Sequence, residues 1–204
     1  RKSQLLLGAA LAVLGLATQA HAQSAPADTV VDELIVTAQL REQKSIDVPI
    51  ALTAYGAGRL DDLGVQEFED LALFVPGFEV QNQSPNNPGF VMRGITSDSG
   101  EATNEPRVSV FQDGVSMSKS RGSYVELFDL ERAEISKGPQ STLYGRGALI
   151  GAVNLVQAKA DPSALKAASK VEVGNYGYAM VEGMLNMPVS DTFAVRVAAR
   201  LKAR

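Results

Sequence analysis

The sequence predicts an α+β domain followed by a run of amphipathic antiparallel strands, and three observations lead to this fold class. Within residues 48–159, two short helical patterns lie among β-prone runs that are separated by turn-forming residues. Beyond residue 159 the chain of 204 residues changes to long segments of period 2. The chain also begins with the pattern of an export signal, which places this fold outside the cytoplasm.

Residues 1–22 have the three parts of a cleaved secretory signal. The first two residues are positive, Leu5–Ala17 is apolar, and Ala20–Ala22 is a small-x-small cleavage site. The apolar run is shorter than the roughly 20 residues that span a bilayer, so a cleaved signal is favoured over an anchor. Cleavage removes two of the 19 cationic side chains, so 17 remain against 23 acids, a net charge of −6.

The composition excludes several classes of function. The chain has no cysteine, and its single histidine, His21, lies in the predicted signal. Disulfides, Ser-His-Asp or cysteine catalysis and the usual zinc sites are therefore excluded from the mature chain. The acidic balance argues against a nucleic-acid partner. We expect a protein that is not an enzyme, with no cofactor and no metal site.

Residues 48–159 are interpreted as one α+β domain of about 110 residues. The side chains that share the apolar face of its second helix are Phe68, Leu71, Ala72 and Val75. Asp113-Gly114 predicts a tight turn between two strands. In the later segment LERAEISKG, alternation predicts that Ala133 and Ile135 point inward. The residues predicted to point outward are Arg132, Glu134 and Ser136.

Residues 160–204 are interpreted as a linker followed by strands with one apolar and one polar face. In the last strand, Phe193, Val195, Val197, Ala199 and Leu201 alternate with polar side chains that include Arg196, Arg200 and Lys202. Segments of about ten residues joined by short turns are typical of outer-membrane barrel strands. A soluble antiparallel sheet with one wet face has the same alternation, so the pattern alone leaves both interpretations open.

The short run DELIVTA, residues 32–38, lies in a flexible, polar leader that we assign to residues 23–47 and that is isolated from the predicted core. Three interpretations are open for it: an edge strand of the domain, an unstructured leader, or a docking strand. An exposed extended peptide can pair its free backbone groups with the edge of a partner's sheet. From the residues alone, all three interpretations stay open.

These segments, in their order along the chain, resemble the TonB-dependent outer-membrane receptors. DELIVTA is similar to the TonB box, VPIALTAYGAGRLDDLGVQEFEDLALFVPGFEV to the start of the plug domain, and FVMRGI to its Arg-Gly strand. VSVFQDGV is similar to the plug's Asp-Gly turn, and LFDLERAEISKGPQSTLYGRGALIGAVNLV to its longest motif. The fold class implied is an α+β plug domain followed by the first antiparallel strands of a 22-stranded transmembrane β-barrel. We interpret the chain as a truncated part of such a receptor.

The resemblance assigns roles to three sets of residues. The TonB-binding residues would be Asp32, Glu33, Leu34, Ile35, Val36, Thr37 and Ala38. The residues of plug motifs and plug–barrel packing would be Arg93, Gly94, Asp113, Gly114, Glu131, Arg132, Glu134, Lys137, Gly138, Pro139, Tyr144, Gly145 and Arg146. The residues at the outward loops, which would contact substrate, are Asn86, Asn87, Arg93, Ser97, Asn104, Ser116 and Ser118. Arg93 is in two sets because packing and ligand contact are both open for it.

The sequence departs from the family pattern at two places. Lys137 stands before Gly138-Pro139 where the family usually has Arg, and Lys keeps the charge without the planar bidentate fork. This makes a salt link from residue 137 to the barrel wall uncertain. At residues 147–151 the family usually has an Asn or Ser with a Gly-Gly pair, whereas this sequence has Gly-Ala-Leu-Ile-Gly. The single Gly151 implies less backbone freedom at that corner.

The resemblance implies a receptor of the cell outer membrane that takes up a scarce small molecule, with a ferric siderophore as the first expectation. Carbohydrate, cobalamin and aromatic compounds are the alternatives. The implied partners are TonB, with ExbB and ExbD in the inner membrane, and outer-membrane lipid. A signalling receptor would carry a further folded domain before the box, whereas about nine residues separate Ala22 from Asp32. A soluble periplasmic binding module is the third alternative.

Overall fold

A computed structural model describes residues 34–84, 87–96, 106–117 and 125–203. Its strands are β1 Ile35–Val36, β2 Gln43–Lys44, β3 Ala51–Gly56, β4 Phe78–Ser84, β5 Asn87–Met92, β6 Ile95–Thr96, β7 Val108–Gln112, β8 Val115–Ser116, β9 Leu130–Lys137, β10 Gly151–Gln157, β11 Lys166–Val173, β12 Ala179–Ser190 and β13 Phe193–Ala203. Its α-helices are α1 Ala57–Asp62, α2 Phe68–Phe74 and α3 Ser141–Tyr144. The predicted signal, Asp32, Glu33, Asn86, Ser97, Asn104 and Ser118 lie outside the described residues.

The centre of the plug-like part is a five-stranded mixed sheet with the order β3-β9-β10-β7-β8. β9 pairs antiparallel with both β3 and β10, whereas β10 pairs parallel with β7. A second sheet of three strands has the order β4-β5-β6. β9 and β10 are therefore interior strands, and their side chains are covered on both faces, as the near-continuous burial of both strands shows.

Helix α2 confirms the predicted apolar face. Phe68 and Leu71 are fully buried, Val75 is nearly so, and Ala72 packs against the same core. A capping box begins the helix, since Asp70 Oδ2 accepts from the backbone N–H of Glu67 at 3.0 Å. The helix packs on the second sheet, where the ring of Phe68 contacts that of Phe90 edge-on, with ring centroids 5.3 Å apart.

Two turns join strands through residues with positive φ. Asp113-Gly114, with φ of 50° and 80°, forms the predicted tight turn between β7 and β8. Arg93-Gly94, with φ of 51° and 78°, forms a similar turn between β5 and β6. The expectation that Arg93 and Gly94 lie on a strand is wrong, because two-residue hairpins favour a turn with positive φ at both central residues.

The glycines of the 147–151 segment are required by close packing. A Cβ built on Gly151 would lie 2.0 Å from Met92 Sδ and 2.7 Å from the carbonyl oxygen of Ser136. A Cβ on Gly147 would lie 2.6 Å from Ser109 Oγ. Neither glycine has a positive φ. Close contact therefore requires glycine at positions 147 and 151, and the effect of the missing Gly-Gly pair on backbone freedom stays a prediction.

The last three strands form an antiparallel meander in the order β11-β12-β13. Apolar side chains on one face, among them Val171, Val197 and Leu201, are more than half exposed. The opposite face carries charged side chains, of which Arg196, Arg200 and Lys202 contact the plug-like part. This distribution confirms the predicted alternation. No helix in the described ranges is long and apolar enough to cross a membrane.

Candidate functional site

Residues 34–38 of the DELIVTA segment are docked against the plug rather than separate from it. Ile35 and Val36 of β1 pair antiparallel with Lys44 and Gln43 of β2. We call residues 34–45 the box ribbon. A turn joins its strands, in which the N–H of Leu40 donates to the carbonyl of Thr37 at 2.8 Å. Val36 is 0% exposed, so the expectation of an isolated, flexible segment is wrong for residues 34–38.

The exposure of the box ribbon alternates along its first strand. The Val36 side chain is buried, whereas the Ile35 side chain is 43% exposed. Ala38, two residues beyond Val36, is 1% exposed. Side chains on successive strand residues point to opposite faces, so one face of the segment packs on the plug and the other is open to a partner.

Thr37 joins the box ribbon to the central strand β9. Its backbone N–H donates to Glu134 Oε1 at 2.8 Å, and its Oγ1 accepts from Arg132 Nη2 at 3.1 Å. Arg132 Nε also donates to Glu134 Oε1 at 2.7 Å, and Asn154 Nδ2 donates to Glu134 Oε2 at 3.2 Å. We call Arg132, Glu134 and Asn154 the polar triad.

The polar triad corrects the prediction for strand β9. Arg132, Glu134 and Ser136 were expected to point outward, yet each is less than a tenth exposed and Glu134 is 0% exposed. Ala133 and Ile135 are buried on the other face, as predicted. A buried carboxylate requires partners, and Arg132, Asn154 and Thr37 provide them. The outer face is therefore covered by the box ribbon and its surroundings.

Tyr144 makes the second polar contact to the ribbon. Its hydroxyl donates to the carbonyl oxygen of Ala38 at 2.9 Å, and its ring packs on Phe111 with centroids 4.7 Å apart. Burial, and in second place the charge of Glu134, raises the pKa of Tyr144 to about 12. The hydroxyl therefore remains a donor at neutral pH.

A cleft of about 510 Å³ opens beside these contacts. Its wall includes Thr37, Arg132, Tyr144 and Asn154, so it borders the points at which the box ribbon is held. Leu40 and Leu143, both partly exposed, form its apolar rim.

The remaining motif residues lie around the same sheet. Glu131 forms an ion pair with Arg132, and Lys137 Nζ donates to the carbonyl of Pro76 at 3.3 Å. Lys137 therefore contacts the end of the α2 segment inside the plug. Gly138 has a φ of 111°, and its N–H donates to the carbonyl of Ile150 at 2.9 Å. Pro139, which follows, is exposed.

Two further motif residues border a smaller cavity of about 190 Å³. Gly145, with a φ of 78°, ends helix α3, and Arg146 follows it in the cavity wall. Asp113 accepts from the N–H of Gln157 through Oδ1 at 2.9 Å, which ties the Asp-Gly turn to the end of β10.

The described part of the chain contains three of the residues expected to contact substrate. Asn87 begins β5, Arg93 lies on an exposed turn, and Ser116 is exposed at the end of β8. The side chain of Arg93 reaches toward Gly138, since a Cβ built there would lie 3.6 Å from Arg93 Nη1. Ser116 borders the smaller cavity with Arg146.

Ion pairs between the plug and the last strands were not predicted. Arg196 of β13 holds Asp129 through Nη2–Oδ1 at 2.5 Å and Nε–Oδ2 at 3.0 Å. Lys202 binds Glu67 at 2.7 Å. Arg200 binds Glu182 at 2.7 Å, with its guanidinium 4.8 Å from the centroid of the Phe128 ring. We call this contact region the seam. The alternation in the last strand predicted that Arg196, Arg200 and Lys202 share a polar face. It did not predict which residues they bind.

A family model matches residues 44–152 and describes the TonB-dependent receptor plug domain. The chain is 30% identical over 154 residues to a pesticin receptor of Yersinia pestis, covering 74% of this chain and 22% of that protein. It is 25% identical over 168 residues to the vitamin B12 transporter BtuB of Vibrio vulnificus, covering 79% of this chain and 26% of that protein.

The fold is similar to solved receptor structures. One is the ferric yersiniabactin uptake receptor FyuA from Yersinia pestis, with a TM-score of 0.65, 26% identity, and coverage of 74% of this chain and 24% of that chain. This chain therefore spans about a quarter of the length of the relatives it matches. These similarities confirm the fold class of plug plus antiparallel strands and the location in the cell outer membrane. The chain belongs to the TonB-dependent receptor family.

Proposed function

We propose that this chain is the gate and the energy-input segment of a receptor that takes up a scarce small molecule across the outer membrane. Residues 32–38 are the TonB box in this proposal, 23–47 the leader that carries it, and 48–159 the plug. TonB, powered through ExbB and ExbD, pulls on the box and displaces the plug. The apolar face of the strands within 160–204 contacts lipid.

One observation carries the proposal: the box is attached directly to an interior strand of the plug sheet. Thr37 binds Glu134 of β9, and Glu134 binds Asn154 of β10. A force applied at Ile35 therefore reaches β9 through the bond from the Thr37 N–H to Glu134, and β10 through the bond between Glu134 and Asn154. A leader joined only by its covalent chain would extend before it moved the plug.

The proposed substrate is a ferric siderophore. FyuA is named for ferric yersiniabactin uptake, and further solved relatives are named as siderophore receptors. Other similar proteins are named for vitamin B12 and pesticin, which keeps cobalamin as an alternative beside carbohydrate and aromatic compounds. The proposed contacts remain those of the outward loops, Asn86, Asn87, Arg93, Ser97, Asn104, Ser116 and Ser118. Induction of the protein by iron starvation would support the siderophore, and induction by a sugar instead would contradict it.

The test of energy input is the substitution Ile35→Pro in the full-length receptor. Proline removes a backbone N–H that a strand ladder needs, so TonB-dependent uptake of iron-loaded siderophore should fall by at least tenfold. Ile35→Val is the matched control, because it keeps the N–H and the β-branched shape, and uptake should stay near the wild-type rate. Unchanged uptake in Ile35→Pro would contradict the docking role.

Two other functions are separated from the proposal by simple measurements. A soluble binding module would be recovered in the periplasmic fraction, whereas the proposal expects recovery with the outer membrane. A receptor that only relays occupancy to a regulator would change gene expression without concentrating substrate. Uptake against a concentration gradient therefore distinguishes transport from signalling.

A further inference from the structure

We propose that the Glu134 carboxylate occupies one of the backbone positions through which the TonB box would pair with a partner strand. The contact between Glu134 and Thr37 then decides whether the partner strand can use one or two backbone positions of this edge. This inference rests on the proposed TonB docking function and adds a regulatory contact within this chain to it.

The box ribbon has one paired edge and one outer edge. The N–H of Ser45 donates to the carbonyl of Leu34 at 3.0 Å, so Leu34 faces β2 through its backbone. Val36, paired with Gln43, faces β2 in the same way two residues later. Residues of an antiparallel pair alternate between hydrogen-bonded and non-hydrogen-bonded positions. Ile35, opposite Lys44, therefore directs its N–H and C=O toward the outer edge.

Thr37 continues this alternation, so its N–H points to the same outer edge as that of Ile35. At this position the N–H donates to Glu134 Oε1 at 2.8 Å. A strand added to the outer edge would place one of its own carbonyl oxygens where this carboxylate oxygen lies. Glu134 and the carbonyl of a partner strand therefore compete for a single N–H.

The competing carboxylate is buried and accepts hydrogen bonds from two further side chains. Glu134 is 0% exposed, and Arg132 Nε and Asn154 Nδ2 donate to its two oxygens at 2.7 Å and 3.2 Å. A hydrogen bond to an ionised carboxylate is roughly twice as strong as one between neutral groups, so a peptide carbonyl is the weaker acceptor for Thr37. Proteins commonly protect a free strand edge with a charged group, and Glu134 does so here from a neighbouring strand.

The partner that fits this edge is an extended strand with free backbone groups on one side. With Glu134 in place, such a strand would pair with the N–H and C=O of Ile35 and contact its side chain, which is 43% exposed. Release of Thr37 from Glu134 adds a second ladder position on the same edge. A change in the polar triad therefore alters the affinity of the box for its partner without changing the box itself.

The test compares binding of the TonB periplasmic domain to the full-length receptor and to its Glu134→Gln variant in detergent. Glutamine replaces the charged acceptor with a neutral one of the same size, so we expect binding to become about fivefold tighter. Glu134→Asp withdraws the carboxylate from Thr37 while it keeps a charge opposite Arg132, and it should also tighten binding. Glu182→Gln, in the seam, is the matched control and should leave the affinity unchanged.

A synthetic peptide of residues 29–39 separates this inference from the proposed function. The peptide has no Glu134, so it should bind the TonB domain with an affinity that neither variant exceeds. Absence of peptide binding would overturn the docking function itself. Peptide binding together with unchanged or weaker binding of both Glu134 variants, each shown to be folded by thermal unfolding, would overturn the competition while docking stands.

Discussion

The two ends of the described chain are attached to the plug in different ways. The box ribbon has strands of two residues, and the polar contacts that tie it to the plug come from the polar triad and Tyr144. The last strands have eight to twelve residues and meet the plug through the ion pairs of the seam. The ribbon is held by a few contacts that can open together, whereas the seam must be broken at several separate points.

This difference predicts which of the two attachments opens at the lower free energy. Segments with few buried apolar contacts and few hydrogen bonds open at low free energy, whereas long ladders with ion pairs open last. The ribbon buries Val36 and Ala38, and the seam combines the Asp129–Arg196 pair with the long β12–β13 ladder. A pull at the box would therefore act on the N-terminal side first, with the seam as the fixed side.

The largest expected effect is at the seam. Asp129→Ala removes the partner of a guanidinium whose side chain is only 14% exposed. Leaving that charge unpaired should cost about 2 kcal/mol, or roughly thirtyfold faster hydrogen exchange in residues 125–130. Exchange in the box ribbon should not change. Equal acceleration at both ends would show that the two attachments are one cooperative unit.

A smaller effect is expected at the ribbon. Tyr144→Phe removes the hydrogen bond to the carbonyl of Ala38 and keeps the ring against Phe111, which should cost about 1 kcal/mol. Hydrogen exchange in residues 34–45 should become about fivefold faster. Tyr55→Phe is the matched control, since the Tyr55 hydroxyl donates to the carbonyl of Phe74 at 2.6 Å away from the ribbon. Faster exchange at the seam in Tyr144→Phe would contradict the separation.

The smallest effect concerns alkaline pH. The pKa of Tyr144 is raised to about 12, above its ordinary value near 10. Its contribution to holding the box ribbon on the plug is therefore complete below pH 10 and is lost as the pH rises toward 12. The chain contains no tryptophan, so Leu40→Trp provides a single fluorescent reporter on the exposed turn of the ribbon. Its emission should change between pH 10 and 12, and a Tyr144→Phe background should remove that change.

Local patterns predicted much of the fold. The apolar spacing of Phe68 and Leu71 predicted the buried face of α2, and Asp113-Gly114 predicted its turn. The alternation after residue 159 predicted strands with a polar face. Each of these features depends on neighbours within a few residues, so a single sequence contains the information.

Local patterns could not predict contacts between distant segments. The alternation of β9 correctly separated Ala133 from Glu134, yet it could not show that Thr37, 97 residues away in sequence, would cover the polar side. Arg93-Gly94 was assigned to a strand, whereas the pairing of β5 with β6 makes it a turn, and that pairing is not visible in the sequence. Gly151 lies against Met92, which belongs to another sheet, and the sequence did not predict that contact.

Most helices and strands, their order and the family resemblance follow from the sequence, because helix and strand periodicity, turns and long motifs are properties of neighbouring residues. Three features are visible only in the folded chain: residues 34–38 are docked, Glu134 is buried beneath them, and Arg196 and Asp129 join the last strands to the plug. The physical reason is that a buried charge becomes stable only when its partners arrive from other parts of the chain. Those partners are identified by position in space, which spacing along one segment does not encode.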